Sequence, residues 1–295
     1  MLQLQIEACH HEEAEEISEL LEELGALSVT MTDKQDDPIF EPELGTTPLW
    51  PQVVIQALFA ESSEANNAIK LTTSHYPHLL QEVSTLEDQD WELVSKADFK
   101  PLQFGERLWI CPSWISPPDP DAVNLILDPG LAFGTGTHPT TSLCLTWLDQ
   151  ADIVDKIVVD YGCGSGILAL AALKLGSQHV YAVDIDAQAL LATQNNAHVN
   201  HIPATLLTVS FPDELHANAD LILANILLSP LLSLQKRFKK LLKPQAKLIV
   251  SGILEAQIVE VITAYKGDFK HESTFTQDGW GLVVFESKPT KTTKA

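Results

Sequence analysis

Three polar residues close apolar runs in this chain and are the ones best placed to do chemistry. Asp160 follows Lys156-Ile-Val-Val159, Asp184 follows Val180-Tyr-Ala-Val183, and Asn225 follows Asp220-Leu-Ile-Leu-Ala224. Short β-branched runs of this kind predict strands that deliver their last residue to the carboxyl edge of a sheet. Behind Asp160 stand three alternate glycines, Gly162, Gly164 and Gly166, and then the helical run Ile167-Leu-Ala-Leu-Ala-Ala-Leu173. A strand–loop–helix whose loop glycines lack a Cβ lets a ligand lie against the backbone there, and its N–H groups are expected to face that ligand. Asp184 falls about 20 residues after the glycines, where a doubly wound sheet sets an acid against ribose hydroxyls. A nucleoside is the expected ligand.

The glycine spacing narrows the choice of nucleoside. In a dinucleotide fingerprint the third glycine comes three residues after the second; here Gly166 comes one residue early and Ile167 fills the expected position. No Gly-Lys-Ser/Thr follows, which excludes a phosphate-gripping P-loop. Asp160-x-Gly-x-Gly-x-Gly166 resembles motif I of the seven-stranded S-adenosylmethionine-dependent methyltransferases, in which the acid faces the cationic methionine end of the cofactor. The plain alternative, an ordinary tight βα turn, leaves Asp160 and Asp184 without a reason. Asn225 suits an amine nucleophile. Its carbonyl accepts a hydrogen bond from a neutral amine, whereas a carboxylate there would hold the nitrogen as ammonium, which has no lone pair to attack with.

The elements that must position these residues form an alternating series. Helices are expected over 187–198, from Ser229-Pro230 and over 255–265. Strands are expected over 204–209, 220–225 and 247–251, with a closing hairpin of 270–275 and 282–285. This is a parallel sheet with helices on both faces and one antiparallel strand. Before it runs Leu125-Ile-Leu-Asp-Pro-Gly-Leu-Ala-Phe133-Gly-Thr-Gly-Thr137-His-Pro-Thr-Thr141, a strand entering a Gly/Thr loop that feeds a helix capped by Thr137 or His138. Phe133 offers an apolar lid and the threonines offer hydroxyls, so this segment is the expected second wall of the cofactor pocket. Residues 1–95 read as strand, helix, two strands, helix and a fourth strand at Trp91–Val94, a small ferredoxin-like domain. A linker is expected at 96–107, the α/β domain at 108–288 and a frayed tail at 289–295.

Composition sets the class. The chain has 295 residues, 45% of them hydrophobic, enough for a large core. No run reaches the ~18 apolar residues that span a bilayer and no basic-then-apolar leader opens the chain, so a cytoplasmic protein is expected. Cys9, Cys111, Cys144 and Cys163 lack metal or disulfide spacing; they read as reduced, partly buried thiols, and alkylation of Cys163 in the glycine loop is expected to block the site. Residues 1–100 carry 21 Asp/Glu against 4 Lys/Arg, whereas the other 195 carry 19 against 14, within a net charge of −22. The acidic third repels nucleic acid and steers basic protein partners. Nothing resembles a coiled coil, and a monomer is expected.

Together, Leu108-Trp-Ile-Cys-Pro-Ser-Trp114, the Gly/Thr segment to Thr141, motif I, Asp184-Ile-Asp186 and Ala224-Asn-Ile226 resemble the ribosomal protein L11 methyltransferase family. The resemblance covers most of residues 88–285 and implies methylation of lysine and N-terminal amines on one large-subunit ribosomal protein. By position it implies that Thr141, Gly162, Asp184 and Asn225 contact S-adenosylmethionine, with Asp160, Gly164, Phe133 and Thr137 around them. It further implies that the N-terminal domain recognises the substrate and moves on a hinge. The family's second tryptophan between Trp91 and Phe99 is missing here; Val94-Ser-Lys96 stands in its place. A glutamine methyltransferase would carry Asn-Pro-Pro-Tyr where this chain has Asn225-Ile-Leu-Leu228. A vestigial adaptor would have lost loop residues that are present, and a nicotinamide oxidoreductase is disfavoured by Ile167.

Overall fold

A computed structural model describes residues 1–9, 11–35, 39, 48–86, 99–128 and 136–289, and the chain divides into two compact units, Met1–Ser95 and Lys96–Ala295. In the first unit the apolar alternation of β1 (Leu2–Cys9) and β3 (Val53–Phe59) puts Leu4, Ile6, Ile55, Ala57 and Phe59 on one face. That face is covered by Ala14, Ile17 and Leu21 of α1 (His11–Glu23) and by Ala65 and Ala68 of α2 (Ser62–His75). With β2 (Ser28–Asp33) and β4 (Leu80–Thr85) the antiparallel order is β2-β3-β1-β4, the expected ferredoxin-like layout.

The fourth strand is a correction. It lies at Leu80–Thr85, paired along β1 from Leu2↔Thr85 to Glu7↔Leu80, and the expected Trp91–Val94 lies outside the described residues. Pattern reading overlooks β4 because the strand is almost wholly exposed: Leu80 and Val83 face solvent, so no buried alternation betrays it.

The second unit opens with a small sheet of β5 (Leu102–Phe104), β6 (Leu108–Cys111) and β7 (Val123–Ile126). Part of the expected linker is therefore strand: β5 pairs with β6 and buries Phe104. The backbone of Gly105 turns at φ +68° beside Asp149, whose carboxylate accepts from the amides of Glu106 and Arg107, so the turn is bolted to the helix behind it.

The main sheet is built from β8 (Ile157–Tyr161), β9 (His179–Val183), β10 (Leu207–Ser210), β11 (Ala219–Asn225), β12 (Leu242–Leu254), β13 (Phe269–Gln277) and β14 (Trp280–Ser287). Its order is β10-β9-β8-β11-β12-β14-β13, and β14 alone runs against the rest. The reversal follows from the hairpin turn at Asp278-Gly279, both residues at positive φ. On one face Val158, Leu221, Leu223 and Ile249 pack with α3 (Pro139–Gln150), α4 (Ile167–Lys174) and α5 (Ala187–Val199). On the other, Val159, Ile222, Leu248 and Val250 pack with α6 (Leu228–Leu241) and α7 (Ile258–Tyr265).

Helix α4 is buried all round because it is covered by β7 on its outer side. The expected Ser229 cap is also corrected. Helix α6 starts at Leu228 with Leu227 in the cap position and no side-chain cap, and Pro230 falls within the first turn, where a missing N–H removes no helical bond.

Candidate active site

Because β8, β9 and β10 step one way and the chain then crosses over to β11, the switch point of the sheet lies between the carboxyl ends of β8 and β11, where open sheets bind ligands. Leu223 pairs with Asp160, so Asp160 and Asn225 project on the same face, two rungs apart. Thr141, in the first turn of α3, reaches that face. Asn225 Nδ2 donates to Thr141 Oγ1 at 3.3 Å, which sets the amide plane and leaves Asn225 Oδ1 buried without a donor. Asp160 is 1% exposed; its Oδ2 accepts from Ala169 N at 2.9 Å, and its Oδ1 is likewise buried without a donor. Burial pushes the Asp160 carboxyl up to about 7, against the one backbone hydrogen bond that favours its charge.

The glycine loop corrects one expectation. Its amides do not face outward: Gly162 N and Cys163 N donate to Val183 O, Gly164 N to Asp184 Oδ2, and Gly166 N to Cys163 O. The carbonyls of Gly164 and Ser165 are held from α5 by Thr193 Oγ1 at 3.1 Å and Asn196 Nδ2 at 2.8 Å. What the glycines supply is space. A Cβ on Gly162, at φ +82°, would collide with Ile226 beside Asn225, and one on Gly166, at φ +81°, would meet Thr193. At these two positions the glycines let Ile226 and Thr193 pack against the loop, and the inward-tied amides make no cradle for a phosphate. Asp184 also accepts from Asp186 N at 3.0 Å, so both its oxygens are oriented by backbone donors.

Cys163 is buried and takes a hydrogen bond from Thr193, and burial drives its thiol far above the ordinary range; this corrects the expected openness to alkylation.

Of the Gly/Thr segment, Phe133 lies outside the described residues. Thr137 is exposed, and His138, not Thr137, caps α3, its Nδ1 accepting from Thr140 N at 3.3 Å with Pro139 next. Burial lowers the His138 pKa, and its ring meets Trp280 edge-on at 4.7 Å. An Nδ1 that serves as a cap acceptor is unprotonated, so the neutral ring fixes the start of α3 and hence Thr141.

Several supports were not singled out by motif. Thr193, Asn196 and Asn200 are spaced three and four along α5, one polar stripe turned inward, and Asn200 clasps both backbone groups of Ile126. No sequence signal sets them apart, because Gln188, Gln194, Asn195 and His198 of the same helix are polar too. Ser251, opposite Asn225 on β12, donates to Gly281 O. A separate cleft of about 300 Å³ lies at the amino edge of the sheet, lined by Trp147, Lys156, Asp220 and Lys243; Lys243 is paired there with Asp220.

Two donorless acceptors, and a loop whose Gly162, Cys163, Gly164 and Gly166 amides are tied inward, fit a nucleoside that carries N–H donors and positive charge. S-adenosylmethionine is such a molecule, and the chain is accordingly a Rossmann-like, S-adenosylmethionine-dependent methyltransferase. Sequence comparison takes this further, since the model of the ribosomal protein L11 methyltransferase family (PrmA) matches residues 1–288. A ribosomal protein L11 methyltransferase of Legionella pneumophila is 58% identical over 286 residues, 97% of this chain and 99% of that one. Another, of Pseudomonas fluorescens, is 49% identical over 274 residues, 91% and 93% of the two chains. The crystal structure of a ribosomal protein L11 methylase from Lactobacillus delbrueckii subsp. bulgaricus superposes with a TM-score of 0.60 at 31% identity, covering 65% of this chain and all of that one. The chain belongs to the ribosomal protein L11 methyltransferase family.

Proposed function

We propose that this enzyme methylates lysine side-chain and N-terminal amines of ribosomal protein L11, with Asn225 as the residue that aims the amine. When bound, S-adenosylmethionine supplies an activated methyl group. The chain's own residues hold and orient. Asn225 Oδ1 accepts an N–H of the incoming neutral amine and points its lone pair, while Thr141 Oγ1 keeps the carboxamide from rotating. Asp184 takes the ribose hydroxyls, Asp160 faces the cationic methionine end, Gly162 and Gly164 let the cofactor approach the backbone, and Phe133 and Thr137 close the second wall. Residues 1–95 recognise the basic substrate protein; nucleic acid is not contacted directly, and the enzyme works as a cytoplasmic monomer. None of the helices among the described residues is long and apolar enough to cross a membrane.

The observation that carries the reading is Asn225 Oδ1, a buried acceptor with no donor and a fixed direction. Leaving it unmade costs about 1–3 kcal/mol, which an amine N–H recovers. The test is intact-mass analysis of L11 after incubation with the methyl donor. Wild-type enzyme adds mass in methyl steps. Asn225→Ala loses on the order of 100-fold in rate through lost positioning. Asn225→Asp is slow as well, because a carboxylate favours ammonium, and it recovers as pH rises. An Asn225→Ala enzyme as fast as wild type would sink the assignment.

A further inference from the structure

We propose that Asp160 exchanges a proton with solvent as the cofactor binds: its carboxyl is neutral when no cation lies against it and becomes a carboxylate when the cationic cofactor does. The inference rests on the cofactor reading above and adds a function that hydrogen bonding alone does not supply.

Asp160 is 1% exposed at the end of β8, with one donor, Ala169 N, on Oδ2 and none on Oδ1. Asp184 makes the contrast. It stands across the same loop, yet two backbone N–H groups, of Gly164 and Asp186, serve its two oxygens. The titratable groups that bear on Asp160 are Asp184 at the end of β9, Cys163 in the glycine loop and Cys144 on α3. Asp184 is a further negative charge, and burial pushes the Cys144 thiol up to about 12, so it offers no compensating charge. Among these described neighbours there is no cation. A buried carboxylate with one hydrogen bond and an acid nearby takes up a proton instead of staying charged, and the Asp160 carboxyl, pushed up to about 7, follows that rule.

S-adenosylmethionine brings a sulfonium and an α-ammonium, and a positive charge beside a buried acid draws its pKa down. Binding therefore converts –COOH to –COO⁻ and delivers one H⁺ to the buffer; no other bond changes. The site then responds to the charge of its ligand as well as its shape, and an uncharged nucleoside of similar outline leaves Asp160 protonated.

Calorimetric titration of the full-length enzyme with S-adenosylmethionine near pH 6, in buffers of low and high ionisation enthalpy, measures the proton count directly. At that pH the ligand's α-amine (pKa ≈ 7.7–8.0) is already protonated and adds little of its own. The expected result is close to one proton released per cofactor bound by the wild type, and none by Asp160→Asn, which keeps the acceptor for Ala169 N but cannot titrate. Binding by the wild type with no proton released overturns the proposal while leaving the cofactor reading intact, as does equal release by Asp160→Asn. Where the variant binds too weakly to titrate, the wild-type buffer series decides alone. Failure of the wild type to bind S-adenosylmethionine overturns both readings.

Discussion

The donorless oxygens of Asp160 and Asn225 place opposite demands on the chain without ligand, because one group can escape its penalty by protonation and the other cannot. For Asp160 the consequence is a pH-dependent stability. Its folded carboxyl titrates near 7, whereas an unfolded aspartate titrates at ~3.9. Between those values the folded chain holds a proton that the unfolded chain has lost. The group's contribution is thus complete below pH ~4 and declines as pH rises through about 7. Asp160→Asn abolishes that decline. Urea unfolding of both proteins without cofactor, at pH 5 and pH 8, should shift their stability difference in favour of Asp160→Asn at the higher pH, by on the order of a few kcal/mol. A difference that stays constant across that range would mean the carboxyl titrates normally.

Helix α5 acts on the glycine loop as a clamp, since Thr193 and Asn196 hold the carbonyls of Gly164 and Ser165 while Asn200 reaches the backbone of β7. Thr193→Val and Asn196→Ala each remove one of these bonds. Each should lower stability by ~1 kcal/mol and weaken cofactor binding several-fold, the two effects adding imperfectly because the residues are neighbours. Thermal melts and titration calorimetry read both; variants that melt lower yet bind as wild type would show the clamp to be structural only.

This level is also where the sequence is least legible. The strands that end in Asp160, Asp184 and Asn225 announce themselves, because apolar runs closed by a polar residue have few other uses. The glycine spacing likewise excludes dinucleotides without any coordinates. Strand β4 stays hidden because its pairing to β1 is made by backbone groups, and β5 because three residues are too few to show a period. The inward direction of the loop amides is invisible for a related reason: Val183 and Asp184, which receive three of them, lie some 20 residues on.

The molecule divides its charge unevenly, with −17 on residues 1–100 against −5 on the remainder. A basic ribosomal protein approaching such a surface should be accelerated by the long-range field, whose reach salt shortens to ~8–10 Å at physiological ionic strength. Stopped-flow association with L11 should slow as sodium chloride is raised from 50 to 500 mM, with the dissociation rate changing less. An association rate indifferent to salt would remove the field from the account.

The inward-tied amides of Gly162, Cys163 and Gly164 also bear on the company this enzyme keeps. Phosphorylated nucleotides share the adenosine of the methyl donor, and a loop with free amides would welcome their phosphates. Among the described residues these three amides are already taken and Asp160 is a buried acid, so adenine nucleotides are expected to be poor competitors of the methyl donor.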